Sequence, residues 1–368
     1  MRVIVTGGGS GGHIYPAIAI ADKIKEKEPD SEILYIGNDI GLEKDIVPGT
    51  GYPMELVSAK WLDRRNIFKI FDTGLSTMRG IGQALRIMKK FKPDAVVGTG
   101  GFVCVPVMYA AHKYGAKCYL HEQNAYPGVA NKTLEKFADK IFLGFPEASH
   151  YFHQPEKHVN VGNPVRQRFY DVDQRAAREK LDIGSNDFVI FSFGGSQGAE
   201  KINEVAFDLM EAVNGHKGVT FIFGTGGQYY DEILKKAEEK KIEIQPNIRV
   251  KSYINDMETY LGASDLIISR AGALSVAETT VCGKASILIP SPNVTGNHQF
   301  FNAKSVADKG GAVLIEEKNL TSELLLSEVM RLRNNLTTLT EMSNASKACA
   351  PLEATELIYA EMKKDERV

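Results

Sequence analysis

Short runs of apolar residues alternate along this chain with longer segments in which apolar positions follow helical spacing. In the first half, the apolar runs predict strands at residues 2–6, 33–37, 94–98, 116–121 and 140–143. The pattern restarts near residue 185 and predicts strands at residues 188–193, 219–223, 248–251, 265–268 and 285–289. Strands that alternate with helices are typical of parallel sheets, because a parallel pair needs a long crossover connection. The pattern therefore predicts an α/β fold.

Glycine-rich turns directly follow several of these strands. The turn Gly7–Gly12 follows the first strand and precedes a helix predicted to begin near Ile14, and Gly194–Gly198 repeats this arrangement in the second half. The sequence Gly-Thr-Gly-Gly also occurs twice, at 98–101 and at 224–227. Two similar halves predict two Rossmann-like, doubly wound domains that face each other across a cleft.

The boundary between the halves is predicted near Gly162-Asn163-Pro164, where glycine and proline interrupt the pattern and a charged stretch follows. We expect an N-terminal domain over residues 1–163 and a C-terminal domain over residues 164–350. The tail, about residues 351–368, is predicted to form an amphipathic helix that packs back on the first domain. Its apolar positions are Leu352, Leu357, Ile358 and Met362.

The first glycine turn is a candidate anion-binding site. Glycines let the backbone approach a ligand, and the N-terminus of the following helix adds N–H donors and a partial positive charge. His13 stands where this turn becomes the helix. An imidazole there can accept a proton as well as bind, so His13 is the candidate catalytic base.

Gly7, Gly9 and Gly12 also match the dinucleotide fingerprint, which leaves a nicotinamide-dependent oxidoreductase open. That fingerprint expects an acidic residue at the end of the second strand to hold a ribose, but Asp39 stands late, in a glycine-flanked turn. A P-loop is disfavoured, because no glycine turn is followed by a Lys-Ser/Thr pair. A tight βα turn without a ligand remains an alternative for any single glycine turn.

A more specific combination follows the strand predicted at 265–268. The segment Arg270–Glu278 joins a glycine turn to small residues, which would place amide donors at a helix N-terminus. Glu278 lies about one turn into that helix. The two oxygens of its carboxylate can accept hydrogen bonds from a ribose diol.

Composition and charge exclude several function classes. With 43% hydrophobic residues, 24% charged residues and a formal net charge of −2, the chain shows no sign of nucleic-acid binding. The four cysteines lack Cys-x-x-Cys spacing, which argues against a zinc site and a disulfide framework. Neither a signal-peptide core nor a spanning segment is predicted, so we expect a cytoplasmic location.

Positive charge is concentrated in residues 60–92, which hold nine basic residues against two acidic ones. Apolar residues are interleaved with them, and about half of these are expected to belong to the core. Basic and apolar residues together are typical of peripheral docking on anionic lipid. We therefore predict a membrane-facing surface here.

Six motifs occur in order along nearly the whole chain. They are Gly-Gly-Gly-Ser-Gly-Gly-His at 7–13, Gly-Thr-Gly-Gly at 98–101, His-Glu-Gln-Asn at 121–124, Gly-Asn-Pro-Val-Arg at 162–166, Gly-Gly-Ser-Gln-Gly-Ala at 194–199 and Arg-Ala-Gly-Ala-Leu-Ser-Val-Ala-Glu at 270–278. Together they resemble the MurG family, the peptidoglycan N-acetylglucosaminyltransferases of glycosyltransferase family 28.

The resemblance implies a GT-B fold and an inverting transfer of N-acetylglucosamine. The donor would be UDP-N-acetylglucosamine. The acceptor would be the C4 hydroxyl of lipid I, N-acetylmuramyl-(pentapeptide)-pyrophosphoryl-undecaprenol, and the product lipid II. The second domain would then hold the UDP-sugar, and the first would face the acceptor and the anionic inner leaflet, as a peripheral protein on the cytoplasmic face of the cell membrane.

Site residues follow from the resemblance position by position. In the first domain, Ser10, Gly11 and Gly12 would border the sugar and diphosphate, and Asn124 would contact the N-acetylglucosamine. In the second domain, Ser196 would donate to a phosphate oxygen. Ser10 departs from the commonest family pattern, in which threonine is frequent, but keeps the hydroxyl.

The remaining implied residues form the donor site. Ile254 would meet uracil through its backbone, Gln299 would reach the donor sugar, and Arg166 would also belong to the donor site. Glu278 would hold the ribose. The residues implied to line the nucleotide are Ala273, Leu274, Ser275, Val276, Ala277 and Glu278. Ser275 also replaces a frequent threonine.

No cofactor or metal is expected, because UDP-N-acetylglucosamine is a substrate and the Asp-x-Asp sequence Asp171-Val172-Asp173 lies away from every glycine turn. We predict that it is solvated or caps a helix, and that His150, His153 and His158 are solvated. Other functions stay open at this point: a GT-B transferase with another sugar nucleotide or lipid acceptor, the nicotinamide-dependent oxidoreductase, or a noncatalytic nucleotide-sugar-binding protein.

Overall fold

The computed structural model describes residues 1–61, 67–195, 197–350 and 353–366. The chain divides into two compact units, one formed by Met1–Val165 with Pro351–Val368 and the other by Arg166–Ala350. Each unit contains one parallel β-sheet. No helix among the described residues has the length and apolar character needed to cross a bilayer.

The first unit is built on a seven-stranded sheet. Its strands are β1 Arg2–Thr6, β2 Glu32–Gly37, β3 Met54–Leu56, β4 Ala95–Gly98, β5 Lys117–Glu122, β6 Lys140–Leu143 and β7 His158–Asn160. Their order is β3-β2-β1-β4-β5-β6-β7, and all neighbours are parallel. This is the doubly wound order, in which the connection changes direction between β1 and β4.

Helices connect these strands. They are α1 Gly11–Lys27, α2 Glu43–Ile46, α3 Ile67–Phe91, α4 Cys104–Tyr114 and α5 Val129–Leu134, with 3₁₀ turns at Val47–Thr50, Glu135–Phe137, Pro146–Tyr151 and Pro155–Lys157. Alternate residues of β1 enter different cores, because successive side chains of a strand point to opposite faces. Ile4 packs with α3 and α4, whereas Val3 and Val5 pack with α1.

The second unit repeats the same topology with six strands. They are β8 Phe188–Phe193, β9 Val219–Gly224, β10 Ile248–Lys251, β11 Leu266–Ser269, β12 Ala285–Leu288 and β13 Ala312–Leu314. The order is β10-β9-β8-β11-β12-β13, again all parallel. Here the change of direction falls between β8 and β11.

The helices of this unit lie between and after its strands. They are α6 Gln174–Lys180, α7 Glu200–Val213, α8 Tyr230–Glu239, α9 Met257–Ala263, α10 Ala273–Val281, α11 His298–Ala307, α12 Ser322–Asn334 and α13 Leu336–Ala348, with 3₁₀ turns at Gln167–Phe169, Thr295–Asn297 and Glu317–Asn319. The last helix of the chain, α14 Ala354–Glu366, belongs to the first unit.

Helix α14 packs against α1 through two of its predicted apolar positions. Ile358 and Met362 are buried in the same core as α1, whereas Leu357 is 39% exposed. Leu352 lies outside the described residues. Around this contact, the Tyr359 hydroxyl donates to the Glu28 carboxylate, and Lys363 forms an ion pair with Glu28.

All ten predicted strands are present, and three further strands were missed: β3, β7 and β13. Each has only three residues and lies at an edge of its sheet. Edge strands are not buried on both faces, so they lack the continuous apolar run that marks a central parallel strand. Helix α1 also begins earlier than predicted, at Gly11, so that His13 lies in its first turn.

The two Gly-Thr-Gly-Gly sequences occupy different positions in the two sheets. The first follows β4, which lies on one side of β1, whereas the second follows β9, which corresponds to β2 of the first unit. The interpretation of this pair as equivalent repeats is therefore wrong. The predicted equivalence of the glycine turns after β1 and after β8 is confirmed, because these two strands occupy the same position in their sheets.

Candidate functional site

The glycine turn after β1 packs closely against the turn after β4, at the point where the first sheet changes direction. The Gly8 amide donates to the Gly100 carbonyl at 3.2 Å. Gly101 has φ +85°, and a Cβ placed on it would lie 2.3 Å from the Gly8 oxygen. The two turns meet through backbone atoms, which only glycine permits at this distance. Ligands of doubly wound sheets bind at this kind of crevice.

A buried carboxylate supports the first glycine turn from behind. Glu43 is fully buried, and its two oxygens accept hydrogen bonds from the amides of Gly9 and Asn38, each at 3.1 Å. One amide of the predicted anion cradle is therefore already paired inside the protein. Glu43 is not predictable from the sequence, because it stands 34 residues from Gly9 and its local sequence contains no motif.

The position that a dinucleotide fingerprint reserves for a ribose-binding acid holds Asn38. Strand β2 ends at Gly37, and the side chain of Asn38 donates to the carbonyls of Val57 and Ala59. Asp39 is exposed in the turn that follows. The described residues at this strand end therefore place no acid where a nicotinamide cofactor would need it.

His13 is held at the start of α1 by contacts on both its backbone and its ring. The Thr99 hydroxyl donates to the His13 carbonyl at 2.7 Å. The ring stands against the backbone of Gly100, where a Cβ would lie 2.8 Å from Nδ1. Its Nδ1 is 3.0 Å from Oε1 of Gln123, which follows strand β5. The imidazole is only partly buried, so it remains accessible to a substrate.

Two buried side chains continue from His13 into the protein. Gln123 Nε2 lies 2.8 Å from His121 Nδ1, and His121 Nε2 lies 3.0 Å from the Gly162 carbonyl oxygen. Burial lowers the pKa of His121 to about 4, so this imidazole is neutral at physiological pH. The motif at 121–124 is visible in the sequence, but it predicts no role for Gln123 or His121.

Asn124 is fixed by a second buried carboxylate. Glu122 accepts from both the backbone amide and the side-chain amide of Asn124, at 2.9 and 3.1 Å. Its other oxygen accepts from Gly128 and Asn131. Asn124 is therefore positioned but partly accessible. The structure brings it to the end of β5, near the strand end that carries Gly98–Gly101.

The other predicted residues of the first unit lie on the turn itself. Ser10 and Gly12 are exposed, and Gly11 is partly exposed. Ser10 is the N-cap residue of α1, and its carbonyl accepts from the amides of His13 and Ile14. Its hydroxyl makes no capping hydrogen bond to the helix.

In the second unit, the turn after β8 packs against the turn after β9. A Cβ on Gly198 would lie 2.2 Å from the Thr225 oxygen, and a Cβ on Gly226 would lie 2.4 Å from the Gly198 nitrogen. Ser196, predicted to donate to a phosphate oxygen, lies outside the described residues. The described glycines around it show the same close backbone packing as the first unit.

Helix α10 begins directly after β11, with Gly272 as its N-cap residue. Val276 and Ala277 are 2% and 3% exposed, and the Val276 amide donates to Gly272 inside the helix. These two residues therefore pack the helix onto the core. Leu274 and Ser275 are partly exposed in the first turn, where helix amides lack intrahelical acceptors; Ala273 is buried.

Glu278 has the most perturbed carboxyl group of this region. Burial raises its pKa to about 7, the positive charge of Arg166 opposes that rise, and the negative charge of Glu258 adds to it. Arg168, which forms an ion pair with Glu258 at 3.0 Å, also lowers it. The structure thus brings Arg166 and Glu278 into one electrostatic environment, although they are 112 residues apart in the sequence.

Ile254 follows β10 and Gln299 follows β12, two strands that are separated in the second sheet by β9, β8 and β11. Ile254 is partly exposed in the loop after β10 and approaches Gly224, at the end of β9. Gln299, in the first turn of α11, accepts a hydrogen bond from the Ser291 amide at 2.9 Å. Both therefore border the carboxyl-end edge that also carries the turn after β8 and the start of α10.

The Asp-x-Asp sequence serves the local structure. Asp173 is the N-cap residue of α6 and accepts from the Ala176 amide at 2.8 Å, while Asp171 accepts from Gln167. The prediction of helix capping is confirmed for Asp173. No group of three or more His, Cys, Asp or Glu residues suited to a metal ion occurs in the part of the chain that the structure describes.

The prediction of three solvated histidines is only partly right. His150 and His153 are exposed, as predicted. The prediction is wrong for His158, because its Nδ1 lies 2.8 Å from the Ser149 hydroxyl and only 6% of its side chain is exposed. Its burial lowers its pKa below the ordinary value. It was missed because it lies in an edge strand, β7, that the sequence did not predict.

Comparisons with known proteins agree on both halves of the chain. Residues 3–143 match the glycosyltransferase family 28 N-terminal domain, and residues 189–358 match the glycosyltransferase family 28 C-terminal domain. The chain is 41% identical, over 359 residues, to the UDP-N-acetylglucosamine--N-acetylmuramyl-(pentapeptide) pyrophosphoryl-undecaprenol N-acetylglucosamine transferase of Acetivibrio thermocellus, covering 98% of this chain and 96% of the relative.

A protein of the same name from Desulforudis audaxviator is 42% identical over 364 residues, covering 97% of this chain and 96% of the relative. Among solved structures, the crystal structure of Acinetobacter baumannii MurG is similar to the fold described above. The TM-score is 0.77 at 26% sequence identity, and the match covers 99% of each chain.

Proposed function

Because this chain belongs to glycosyltransferase family 28 and is a glycosyltransferase of the GT-B fold, we propose that it makes lipid II. It transfers N-acetylglucosamine from UDP-N-acetylglucosamine to the C4 hydroxyl of the N-acetylmuramyl sugar of lipid I. The observation that carries this proposal is an identity of 41% over 98% of the chain with a transferase named for that reaction. The predicted α/β class and the two Rossmann-like sheets are confirmed.

The donor nucleotide binds at the carboxyl-end edge of the second sheet. The amides of the first turn of α10 point out of the helix N-terminus, which favours a diphosphate. Glu278 accepts the two ribose hydroxyls when it is ionised, and Arg166 supplies positive charge in the same environment. Ser196 donates to a phosphate oxygen, the backbone of Ile254 meets uracil, and Gln299 reaches the sugar.

The acceptor side is formed by the first unit. Ser10, Gly11 and Gly12 border the transferred sugar and the diphosphate, and Asn124 contacts the N-acetylglucosamine. The paired Gly9 amide supports this division, because it already donates to Glu43, whereas the first amides of a helix lack intrahelical acceptors. The first glycine turn thus serves as a wall of the reaction centre.

His13 acts as the catalytic base in a single displacement with inversion. The acceptor C4 oxygen forms a bond to C1 of N-acetylglucosamine, the bond from C1 to the UDP oxygen breaks, and His13 takes the hydroxyl proton. The departing diphosphate is stabilised by amide donors at a helix N-terminus. No divalent metal is required for turnover. Loss of activity in the presence of a chelator, with recovery when magnesium or manganese is added, would contradict this.

The lipid acceptor is reached through the surface around residues 60–92, on anionic lipid at the cytoplasmic face of the membrane. Of the apolar residues described there, Trp61, Leu75 and Met78 are 66%, 49% and 64% exposed. Ile81, Leu85 and Ile87 pack on the core instead. Arg64 and Arg65 lie outside the described residues, but Arg79 and Arg86 are exposed on α3. Exposed apolar and basic side chains on one helix favour adsorption to an anionic bilayer.

The central experiment supplies the full-length chain with sugar-labelled UDP-N-acetylglucosamine and lipid I. We expect labelled lipid II and one UDP released per transfer. The H13A variant should lose about 10² to 10⁴ in turnover at unchanged UDP affinity, whereas H150A, at an exposed histidine, should match the wild type. A loss below tenfold in H13A would refute the base assignment.

Binding measurements separate the other functions. UDP-N-acetylglucosamine binding without turnover of any acceptor would indicate a noncatalytic binding protein, and tight NAD binding would indicate an oxidoreductase. Transfer from another sugar nucleotide at a higher kcat/KM would show that the preferred donor is not UDP-N-acetylglucosamine. Flotation with anionic vesicles tests the membrane surface: replacing Leu75 and Met78 with serine should weaken binding, whereas L357S, at an exposed leucine of α14, should not.

A further inference from the structure

A chain of hydrogen bonds runs from His13 into the core of the first unit. It passes from His13 Nδ1 to Gln123 Oε1 at 3.0 Å, and from Gln123 Nε2 to His121 Nδ1 at 2.8 Å. It ends at the Gly162 carbonyl oxygen, 3.0 Å from His121 Nε2. Gln123 and His121 are 1% and 0% exposed, whereas His13 is accessible. The chain therefore connects a fixed backbone acceptor to the proposed catalytic base.

The direction of each hydrogen bond can be deduced by starting from the Gly162 carbonyl. A carbonyl oxygen can only accept, so His121 Nε2 carries a hydrogen. Because burial keeps His121 neutral, its Nδ1 holds a lone pair and accepts. The amide nitrogen of Gln123 donates to that atom and also lies 3.1 Å from the His121 carbonyl oxygen. The oxygen of Gln123 is then turned toward His13 and accepts from Nδ1–H.

Further hydrogen bonds hold the backbone of His121 and Gln123 in place. The backbone carbonyl of His121 accepts from the Asn131 side chain at 3.2 Å, and that of Gln123 accepts from the Asn163 side chain at 3.0 Å. The His13 ring lies directly against Gly100, where no Cβ intervenes. Reorienting the Gln123 amide would break the hydrogen bonds of its Nε2 to His121.

We propose that Gln123 and His121 are positioning residues that hold neutral His13 as its Nδ1–H tautomer, so that Nε2 presents its lone pair to the acceptor hydroxyl. This catalytic role rests on the proposed function, but the tautomer does not. When Nε2 takes the proton, Nδ1–H still donates to Gln123, so the chain needs no rearrangement during the step.

The first test measures the tautomer directly in the full chain. ¹⁵N-histidine labelling and long-range ¹H–¹⁵N spectra at pH 8 distinguish a protonated from an unprotonated ring nitrogen, and H13Q identifies the His13 signals. We expect protonated Nδ1 and unprotonated Nε2 in the wild type, a shift toward the other tautomer in Q123L, and retention of Nδ1–H in Q123E. A wild-type His13 protonated at Nε2, or no change in Q123L, overturns the proposal.

A matched pair at His121 tests the catalytic consequence. In H121N the amide oxygen takes the place of Nδ1 and keeps an acceptor for Gln123, whereas in H121Q the amide nitrogen takes the place of Nε2 and keeps only the contact with Gly162. We expect H121N to stay within about threefold of wild-type kcat and H121Q to lose about 3- to 30-fold, with KM for UDP-N-acetylglucosamine unchanged. A purely structural role would not favour H121N.

The two tests distinguish failure of this inference from failure of the proposed function. If the wild type transfers no sugar, the proposed function fails, and the spectra alone decide the tautomer. If transfer occurs but the two His121 variants are equal or in reverse order, the positioning role is refuted while the transferase remains. Should both His121 variants fail to fold, the same comparison is made between Q123E and Q123L, and Q123E must retain the higher kcat.

Discussion

Replacing Glu278 with glutamine should make the second unit more stable and bind UDP less tightly. In the folded protein, burial raises the pKa of this carboxyl from 4.5 to about 7. At pH 8 the group is ionised in a place that disfavours its charge. The E278Q variant keeps the shape of the side chain and removes that charge.

The stability change follows from the pKa shift and depends on pH. One pKa unit corresponds to about 1.4 kcal/mol, so the shift amounts to about 3 kcal/mol. Below pH 4.5 the carboxyl is protonated in both folded and unfolded chains and contributes nothing. Between 4.5 and 7 only the folded state keeps the proton, and above 7 the full cost is present. E278Q should therefore be more stable by up to about 3 kcal/mol at pH 8 and unchanged at pH 4.

The affinity for UDP should change in the opposite direction. An ionised carboxylate accepts from both ribose hydroxyls, whereas glutamine offers only one oxygen. Hydrogen bonds to a charged group contribute about 1.5–3 kcal/mol, which corresponds to a loss of about 10- to 100-fold in affinity at pH 8. In the wild type, UDP affinity should also fall as the pH drops below 7, because the carboxyl becomes protonated.

Urea denaturation at pH 8 and pH 4 measures the stability effect, and UDP calorimetry at pH 8 and pH 5 measures the affinity effect. The control is E243Q, which removes a charge from an exposed position of the same unit. Equal stability of E278Q and wild type at pH 8 would refute the burial argument. A UDP affinity that E278Q leaves unchanged, or that does not depend on pH in the wild type, would separately refute the ribose contact.

Three further predictions concern residues that sequence analysis did not place in the site. E43Q replaces one of the two carboxylate oxygens that accept hydrogen bonds with an amide donor, so kcat and the free energy of unfolding should both fall, the latter by about 1–3 kcal/mol. The affinity for UDP should be unchanged. E55Q, at an exposed glutamate, is the control and should change none of these quantities. M362A should cost about 2–5 kcal/mol in thermal denaturation because it opens a cavity against α1, whereas L357A, on the exposed face of α14, should cost under about 1. D173A removes a helix cap and should cost about 1 kcal/mol with turnover retained; loss of turnover restored by added metal would contradict this role.

Much of the fold was predictable because its determinants are local. A parallel strand buried on both faces is a continuous apolar run, so the five residues of β1 or the six of β8 are recognised without knowledge of the neighbouring strands. The three missed strands have only three residues each at sheet edges, where one partner strand and partial exposure leave no such run. The start of α1 was placed late because glycines at 11 and 12 disfavour a helix in isolation, yet the Ser10 carbonyl accepts from the helix that forms there.

The candidate site divides in the same way. The glycine turns, His13 and Glu278 were found because each lies within a short motif whose residue types indicate a chemistry. Asn38 and Glu43 were not found, since each acts through contacts whose partners stand elsewhere in the chain. The Gly-Thr-Gly-Gly pair shows the opposite error: identical local sequences were treated as equivalent although they follow strands in different positions of their sheets.

The sequence by itself determined the alternation of strands and helices, the positions of the backbone turns that only glycine allows, and the family to which the six motifs belong. These are properties of residues close in the chain, where burial, backbone freedom and residue type act together. The tertiary structure decided that the Gly9 amide donates to Glu43 and that Arg166 and Glu278 share one electrostatic environment. It also decided that His13 forms a hydrogen bond with Gln123, 110 residues away in the sequence. Hydrogen-bond direction and pKa depend on which groups become neighbours, and only folding brings those groups together.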